Sequence, residues 1–219
     1  MGAFGFRKIQ DLPRMFPVFP LTGALLFPRG GLPLNIFEPR YLNMIDDAMA
    51  GDRLIGMVQP APRAADPQKP ALSNVGCVGR ITSFAETEDG RYLITLTGLA
   101  RFRLVRELEA ATPYRRVEAD FTAFAEDLTP PGPSYAIDRV RLIKALRRYV
   151  EANGFQVDWS AVDDAAPEVL VNAVATLCPF EPVEKQALLE TVRLDERCAA
   201  LVTLLELNMS RGAGEHPVQ

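Results

Sequence analysis

Residues 16–51, FPVFPLTGALLFPRGGLPLNIFEPRYLNMIDDAMAG, constrain the fold more than any other stretch. Pro17, Pro20, Pro28 and Pro33 sit at or near the ends of short apolar runs. A proline has no N–H to give to a ladder, so these runs belong to strand ends, edges and bulges. Gly23, Gly30 and Gly31 supply turns between them. The pattern predicts strand, turn, strand, turn, strand and then one helix. Glu38-Pro39 opens that helix, because proline at the first helical position sacrifices only an N–H that would have been unpaired. Tyr41, Met44, Ile45 and Ala48 then recur at i, i+3, i+4 and i+7 on one face, and Gly51 is a natural stop.

The sheet pattern continues beyond the helix. Residues 53–59 (RLIGMVQ) predict a buried strand, and the four prolines within 60–70 predict a surface loop. Thr87-Glu88-Asp89-Gly90-Arg91 is a hairpin signal. With Asp89 and Gly90 as a two-residue loop, Glu88 opposes Arg91 and Ala85 opposes Ile94. Ile81, Ala85, Tyr92, Ile94 and Leu96 then share a face. A second turn is expected at 98–100, followed by strands over 101–108 and 114–121. Residues 126–134 (EDLTPPGPS) break the pattern, since Pro130, Pro131 and Pro133 continue neither a helix nor a central strand. Beyond them the apolar period changes from that of a strand to that of a helix. Helices are predicted over 136–152, 167–178, 182–190 and 195–209, four in all. The expected layout is a β-rich domain over 14–125 and a helical part over 133–210, with loose termini at 1–13 and 211–219. A run of strands followed by a run of helices indicates an α+β protein.

Several short motifs occur in order along this layout. They are Pro17-Val18-Phe19-Pro20-Leu21, Leu26-Phe27-Pro28, Leu32-Pro33-Leu34 and Ile36-Phe37-Glu38-Pro39-Arg40-Tyr41. Val75-Gly76-Cys77-Val78-Gly79-Arg80-Ile81, Asp89-Gly90-Arg91, Gly98-Leu99-Ala100-Arg101-Phe102-Arg103 and Pro113-Tyr114 follow. Together they resemble the Lon N-terminal domain family, the substrate-binding domain at the front of ATP-dependent Lon proteases. That domain also occurs in stand-alone bacterial proteins. The resemblance spans most of the chain. It implies a PUA-like fold: a twisted, barrel-like antiparallel sheet of about six strands with one helix on it, followed by a helical bundle. It also implies a binding module for unfolded or apolar polypeptide segments, with a protease or chaperone as a further partner and self-association open. Cofactors and metals are not expected.

The residues offer little chemistry of their own. The one histidine, His216, lies near the C-terminus, where a surface histidine is the simple reading. Cys77, Cys178 and Cys198 lack CxxC spacing and fall in apolar segments, so buried, reduced thiols in a cytoplasmic protein are expected. No GxxxxGK[ST] or GxGxxG occurs, and no serine sits in a nucleophile turn. The ATPase and serine–lysine peptidase modules of Lon proteases have no counterpart within the 219 residues, so neither ATP nor peptide hydrolysis is expected. Asp46-Asp47 and Asp163-Asp164 suit solvated helix faces better than acid–base pairs. No apolar run is long enough to span a membrane.

Arg101, Arg103, Arg106, Arg115 and Arg116 admit an alternative reading, an RNA-binding PUA-like module. Interleaved Glu107, Glu109, Glu118 and Asp120, and a net charge of −4, argue instead for cross-strand ion pairs. The peptide site is expected on the sheet domain. Proline-interrupted strands near Phe27, Arg29 and Leu32 would leave an edge for strand addition, with Arg101 and Phe102 beside it. Glu38, Arg40 and Tyr41 would form an organising cluster. Arg40 in a first helical turn opposes the helix dipole, so a carboxylate within reach is expected.

Overall fold

A computed structural model of the chain describes residues 6, 8–62, 70–129 and 137–212. It divides into two compact units, Met1–Pro130 and Pro131–Gln219. The first holds β1 (Met15–Pro20), β2 (Gly31–Ile36), α1 (Pro39–Met49), β3 (Leu54–Pro60), β4 (Leu72–Glu86), β5 (Tyr92–Leu108) and β6 (Arg116–Asp120). The second holds α2 (Arg139–Asn153), α3 (Trp159–Asp164), α4 (Pro167–Leu177), α5 (Pro182–Glu190) and α6 (Leu194–Gly212).

The six strands form one sheet in the order β2-β5-β4-β3-β1-β6, and β6 also pairs with β5. β5, 17 residues long, makes this possible by pairing with β2 along its first half and β6 along its second. The expected sheet of about six strands is present, but it is mixed rather than antiparallel: β1 runs parallel to β3, with Val18 opposite Gly56. The cause is α1, a helical crossover between strands of one sheet, which is the connection a parallel pair requires.

Two buried clusters lie against the sheet. One gathers Phe19, Leu26, Ile36, Met57 and Leu96 around Tyr41, Met44, Ile45 and Ala48, the face of α1 predicted from its spacing. The other joins Leu12, Phe16, Val18, Phe102, Val117 and Phe121. Leu12 is 3% exposed, so the segment expected to be a loose arm is anchored by its last apolar residue.

Local geometry departs from expectation at four places. The 16–37 region forms two strands rather than three. Leu25, Leu26 and Phe27 lie in irregular backbone and are all buried. The hairpin closes through three residues rather than two: the Thr87 and Arg91 backbones bond at 2.9 Å, and Gly90 takes φ 75°. A type I turn followed by a left-handed glycine gives this longer loop. The shift places Ala85 opposite Leu93 and leaves Ala85 exposed, and Arg91 pairs with Asp89 at 2.9 Å rather than with Glu88. No turn interrupts 98–100. β5 runs straight through with a bulge at Leu99, and Gly98 lets the backbone of Phe27 come close. Finally, a 3₁₀ segment, Thr122–Leu128, occupies the start of the expected linker. Residues 130–134 of that linker, 63–69 of the proline-rich loop and His216 lie outside the described residues.

Among the described residues the helical unit has five helices rather than four. Asp138 caps α2 by accepting from the Arg141 N–H at 2.9 Å, and Gly154 follows its end. Asp158 caps the unpredicted α3, six residues long and too short to show a period. Pro167 and Pro182 open α4 and α5 as expected. Buried Arg197 of α6 donates to Asn172 Oδ1 at 3.0 Å and to the Leu188 carbonyl at 3.2 Å, which ties α6 to α4 and α5.

Candidate functional site

The sheet unit builds Phe27, Tyr41, Arg101 and Phe102 of its expected site residues into its interior. Phe27 is 1% exposed, Phe102 0% and Arg101 3%, so none offers a side chain to a peptide on the surface. Phe102 meets Phe16 edge-to-face at 5.1 Å between ring centroids. Arg101 is held by Asp127, which accepts from its backbone N–H at 2.8 Å, its Nε at 2.9 Å and its Nη2 at 2.7 Å. Its guanidinium also lies 4.5 Å from the centroid of the Phe124 ring. Arg29 is exposed, in a left-handed conformation at φ 64°, and donates to the Asp127 carbonyl. Leu32 is half-buried against the α1 cluster. Arg40 has the carboxylate it needs: Glu38, just outside the helix, accepts from its Nε at 2.9 Å. The Arg40 guanidinium lies 4.5 Å from the Tyr41 ring centroid, and Tyr41 itself is buried.

The aspartate pair of α1 does more than face solvent. The Tyr92 hydroxyl donates to Asp46 at 3.0 Å, and the Tyr114 hydroxyl donates to Asp47 at 2.6 Å. Burial and the Asp47 carboxylate push the Tyr114 hydroxyl up to about 12. These bonds hold α1 against β5 and against the segment before β6; sequence spacing gave no hint of the pairing. The sheet arginines meet carboxylates too: Arg106 with Glu118 at 2.9 Å and Arg115 with Glu107 at 2.5 Å. The cations on which a basic stripe would rest are thus largely neutralised by neighbours.

Strand addition at β2 is obstructed. The Gly98 N–H donates to Gly30 and the Arg29 N–H donates to Gly98, at 2.9 and 2.8 Å. Antiparallel bonding alternates, so Leu32, Leu34 and Ile36 turn their backbone groups toward β5, and Gly31, Pro33 and Asn35 turn theirs outward. Pro33 therefore stands where a partner strand would need a donor, which blunts the edge.

A different surface has the geometry of a binding site. A groove of about 750 Å³ opens in the helical unit between the end of α2, the 154–158 loop, α3 and α4. Tyr149, Phe155, Val162, Val169, Leu177 and Cys178 are among its lining residues. Phe155 is 45% exposed, Val169 59% and Leu177 80%. The local cause is α4. Its sequence PEVLVNAVATL buries Leu170, Val171, Val174 and Ala175 on one face and has apolar residues left over for the other.

The groove is electrically quiet. Asp158 is its one charged lining residue, and its carboxylate accepts from Ser160 Oγ at 2.9 Å and from the Ser160 N–H at 3.0 Å. These bonds hold Asp158 below the usual carboxylate range. Burial pushes the Tyr149 hydroxyl up to about 12 and the Cys178 thiol up to about 11, so both are neutral near pH 7. Such a surface can take up apolar side chains; it has no group poised to move a proton. Among the described residues no cluster of three or more metal-ligating side chains occurs, and no helix is long and apolar enough to cross a membrane.

Residues 15–206 match the family model described as the ATP-dependent protease La (LON) substrate-binding domain. Lon protease 2 of Myxococcus xanthus is 30% identical over 210 residues, covering 94% of this chain and 25% of the relative. The Lon protease of Anaeromyxobacter dehalogenans is 28% identical over 200 residues, 90% of this chain and 23% of the relative. The chain thus spans about a quarter of the length of these curated relatives. The fold matches the crystal structure of a Lon N-terminal domain protein from Xanthomonas campestris, with TM-score 0.59, 19% identity, and 86% and 97% of the two chains covered. It also matches the N-terminal domain of Mycobacterium avium complex Lon protease, with TM-score 0.62, 16% identity, and 88% and 98% covered.

Proposed function

The chain belongs to the ATP-dependent protease La (LON) substrate-binding domain family, and from that premise we propose that it is a non-enzymatic module that holds apolar segments of client polypeptides. The observation that carries this reading is the helical groove: apolar, open, and without a catalytic group. Ligand sites are concave and mostly apolar, and a groove of about 750 Å³ accepts several side chains of an unfolded segment. This reading puts the client on the helical unit, with the sheet unit as a rigid, internally latched partner. Delivery of the client to a protease or chaperone is the natural use of such a module in a cytoplasmic setting. Neither ATP nor peptide hydrolysis is assigned to these residues, which contain no phosphate-binding loop.

Cys178 supplies the test, because it lines the groove and keeps 8% exposure, while Cys77 and Cys198 lie outside it at 0% and 2%. Reduced, carboxymethylated lactalbumin is the client probe. It is expected to bind, to slow alkylation of Cys178 several-fold, and to leave Cys77 and Cys198 unchanged. Binding without protection of Cys178 would remove the groove from the proposal. No binding of any unfolded probe would remove the function itself.

A further inference from the structure

The densest run of positive charge in the chain is the first three turns of α2, RVRLIKALRR, residues 139–148. It holds five of the chain's 24 lysines and arginines and no acid. The helix buries Leu142, Ala145, Leu146, Tyr149 and Val150 and turns Val140, Lys144, Arg147 and Arg148 outward. These four and Ile143 line a shallow concavity of about 410 Å³, distinct from the apolar groove. Val140, at its floor, is 80% exposed.

The cations differ in what they do. Arg139 is used within the unit, donating to the Ala165 carbonyl at 2.7 Å and the Val162 carbonyl at 2.6 Å. Arg141 approaches Glu206 of α6 at 3.7 Å. Arg147 lies over the Trp159 ring of α3, 4.1 Å from its centroid. Lys144 and Arg148 meet no carboxylate among the described residues. Three cations thus flank the aliphatic pair Val140 and Ile143, and residues 140–148 rise about 12 Å along the axis, a little over two turns. The chain as a whole is acidic, with a net charge of −4.

We propose that this face of α2 docks an acidic polypeptide segment that seats an apolar side chain on Val140 and Ile143 between carboxylates paired with Lys144, Arg147 and Arg148. Charge complementarity selects the acid, since opposed potentials set both encounter rate and register. Val140 and Ile143 select polypeptide over nucleic acid: a sugar–phosphate backbone has no aliphatic side chain to cover them. This site does not depend on the groove's function.

The test uses the whole chain and a fluorescein-labelled peptide of alternating Asp-Leu-Glu and Glu-Leu-Asp triplets. Comparators are the same peptide with Asn and Gln in place of its acids, a single-stranded oligo-dT and phosphatidylserine vesicles. The acidic peptide is expected to bind, and the amide peptide about tenfold more weakly or not at all. Lys144→Glu with Arg148→Glu should weaken the acidic peptide at least about tenfold, with Lys144→Gln intermediate. Val140→Ser should weaken it about threefold. Binding should also fall as salt rises, because these charges are solvent-exposed. Thermal melts that match wild type show that each variant is folded. Equal affinity for the amide peptide, an unchanged affinity in folded Lys144→Gln, or binding of oligo-dT or vesicles in preference to the peptide would each overturn the proposal.

Discussion

Phe16, Phe27, Phe102 and Phe124 of the sheet unit are each at most 2% exposed, whereas Phe155, Val169 and Leu177 of the helical unit are 45%, 59% and 80% exposed. The sheet unit shows apolar residues too, but Phe84 meets Tyr92 at 4.9 Å and Arg91 lies 5.9 Å from the Phe37 ring. The difference follows from how each unit closes. The sheet unit packs two buried clusters against its sheet and spends polar side chains on internal latches: Arg101 with Asp127, and Tyr114 with Asp47. A small bundle of short helices has less interior, and α4 carries more apolar residues than that interior can cover. Stability should therefore concentrate at buried polar contacts in the first unit, and binding at uncovered apolar side chains in the second.

The largest expected effect is at Asp127. Asp127→Ala removes the carboxylate that holds buried Arg101 through three hydrogen bonds, and should destabilise the sheet unit by about 3–5 kcal/mol in chemical denaturation. The double change Arg101→Met with Asp127→Leu should cost much less, because it removes both charges. A loss below about 1 kcal/mol for the single variant would break the claim that this latch matters. Gly98→Ala comes next. An added Cβ would sit 2.0 Å from the Phe27 carbonyl oxygen, so backbone must move, at a cost of about 1–3 kcal/mol in the same measurement.

Tyr114→Phe should cost about 1 kcal/mol near neutral pH, the worth of one hydrogen bond. Its pH dependence has a definite sign. The hydroxyl titrates at about 12 in the folded protein and near 10 when unfolded. The neutral form is thus favoured by folding, and the contribution is complete below pH 10 and lost as pH rises toward 12. Tyr41 and Tyr149 shift in the same direction, so the contribution of Tyr114 is the difference between the wild-type and Tyr114→Phe curves. The smallest stability effect belongs to the groove: Leu177→Glu, already 80% exposed, should stay within about 0.5 kcal/mol of wild type.

Much of the fold was legible because it rests on local rules. Proline and glycine marked the strand ends, spacing marked the buried face of α1, and proline openings placed α4 and α5. The parallel pairing of β1 with β3 was hidden, since it depends on where a crossover lands. The hairpin register was hidden by a single extra loop residue. The candidate site was less legible for a physical reason. Phe27, Arg101 and Phe102 carry the signature motifs, and signature residues in a tightly curled sheet are its packing and its latch. Phe155, Val169 and Leu177 look in sequence like ordinary core residues. Only the number of neighbours left to cover them shows otherwise, and that is a property of the assembled unit.

The central claim is that client polypeptide binds in the helical groove. Titration of fluorescently labelled, carboxymethylated lactalbumin into wild type and into Val169→Glu with Leu177→Glu tests it most directly. Both substitutions fall on exposed positions, so the fold should persist while each places a charge where apolar side chains must seat. At least about a tenfold loss of affinity at unchanged melting temperature is the expected result. Unchanged affinity in the folded double variant would contradict the account and return the site to the sheet unit.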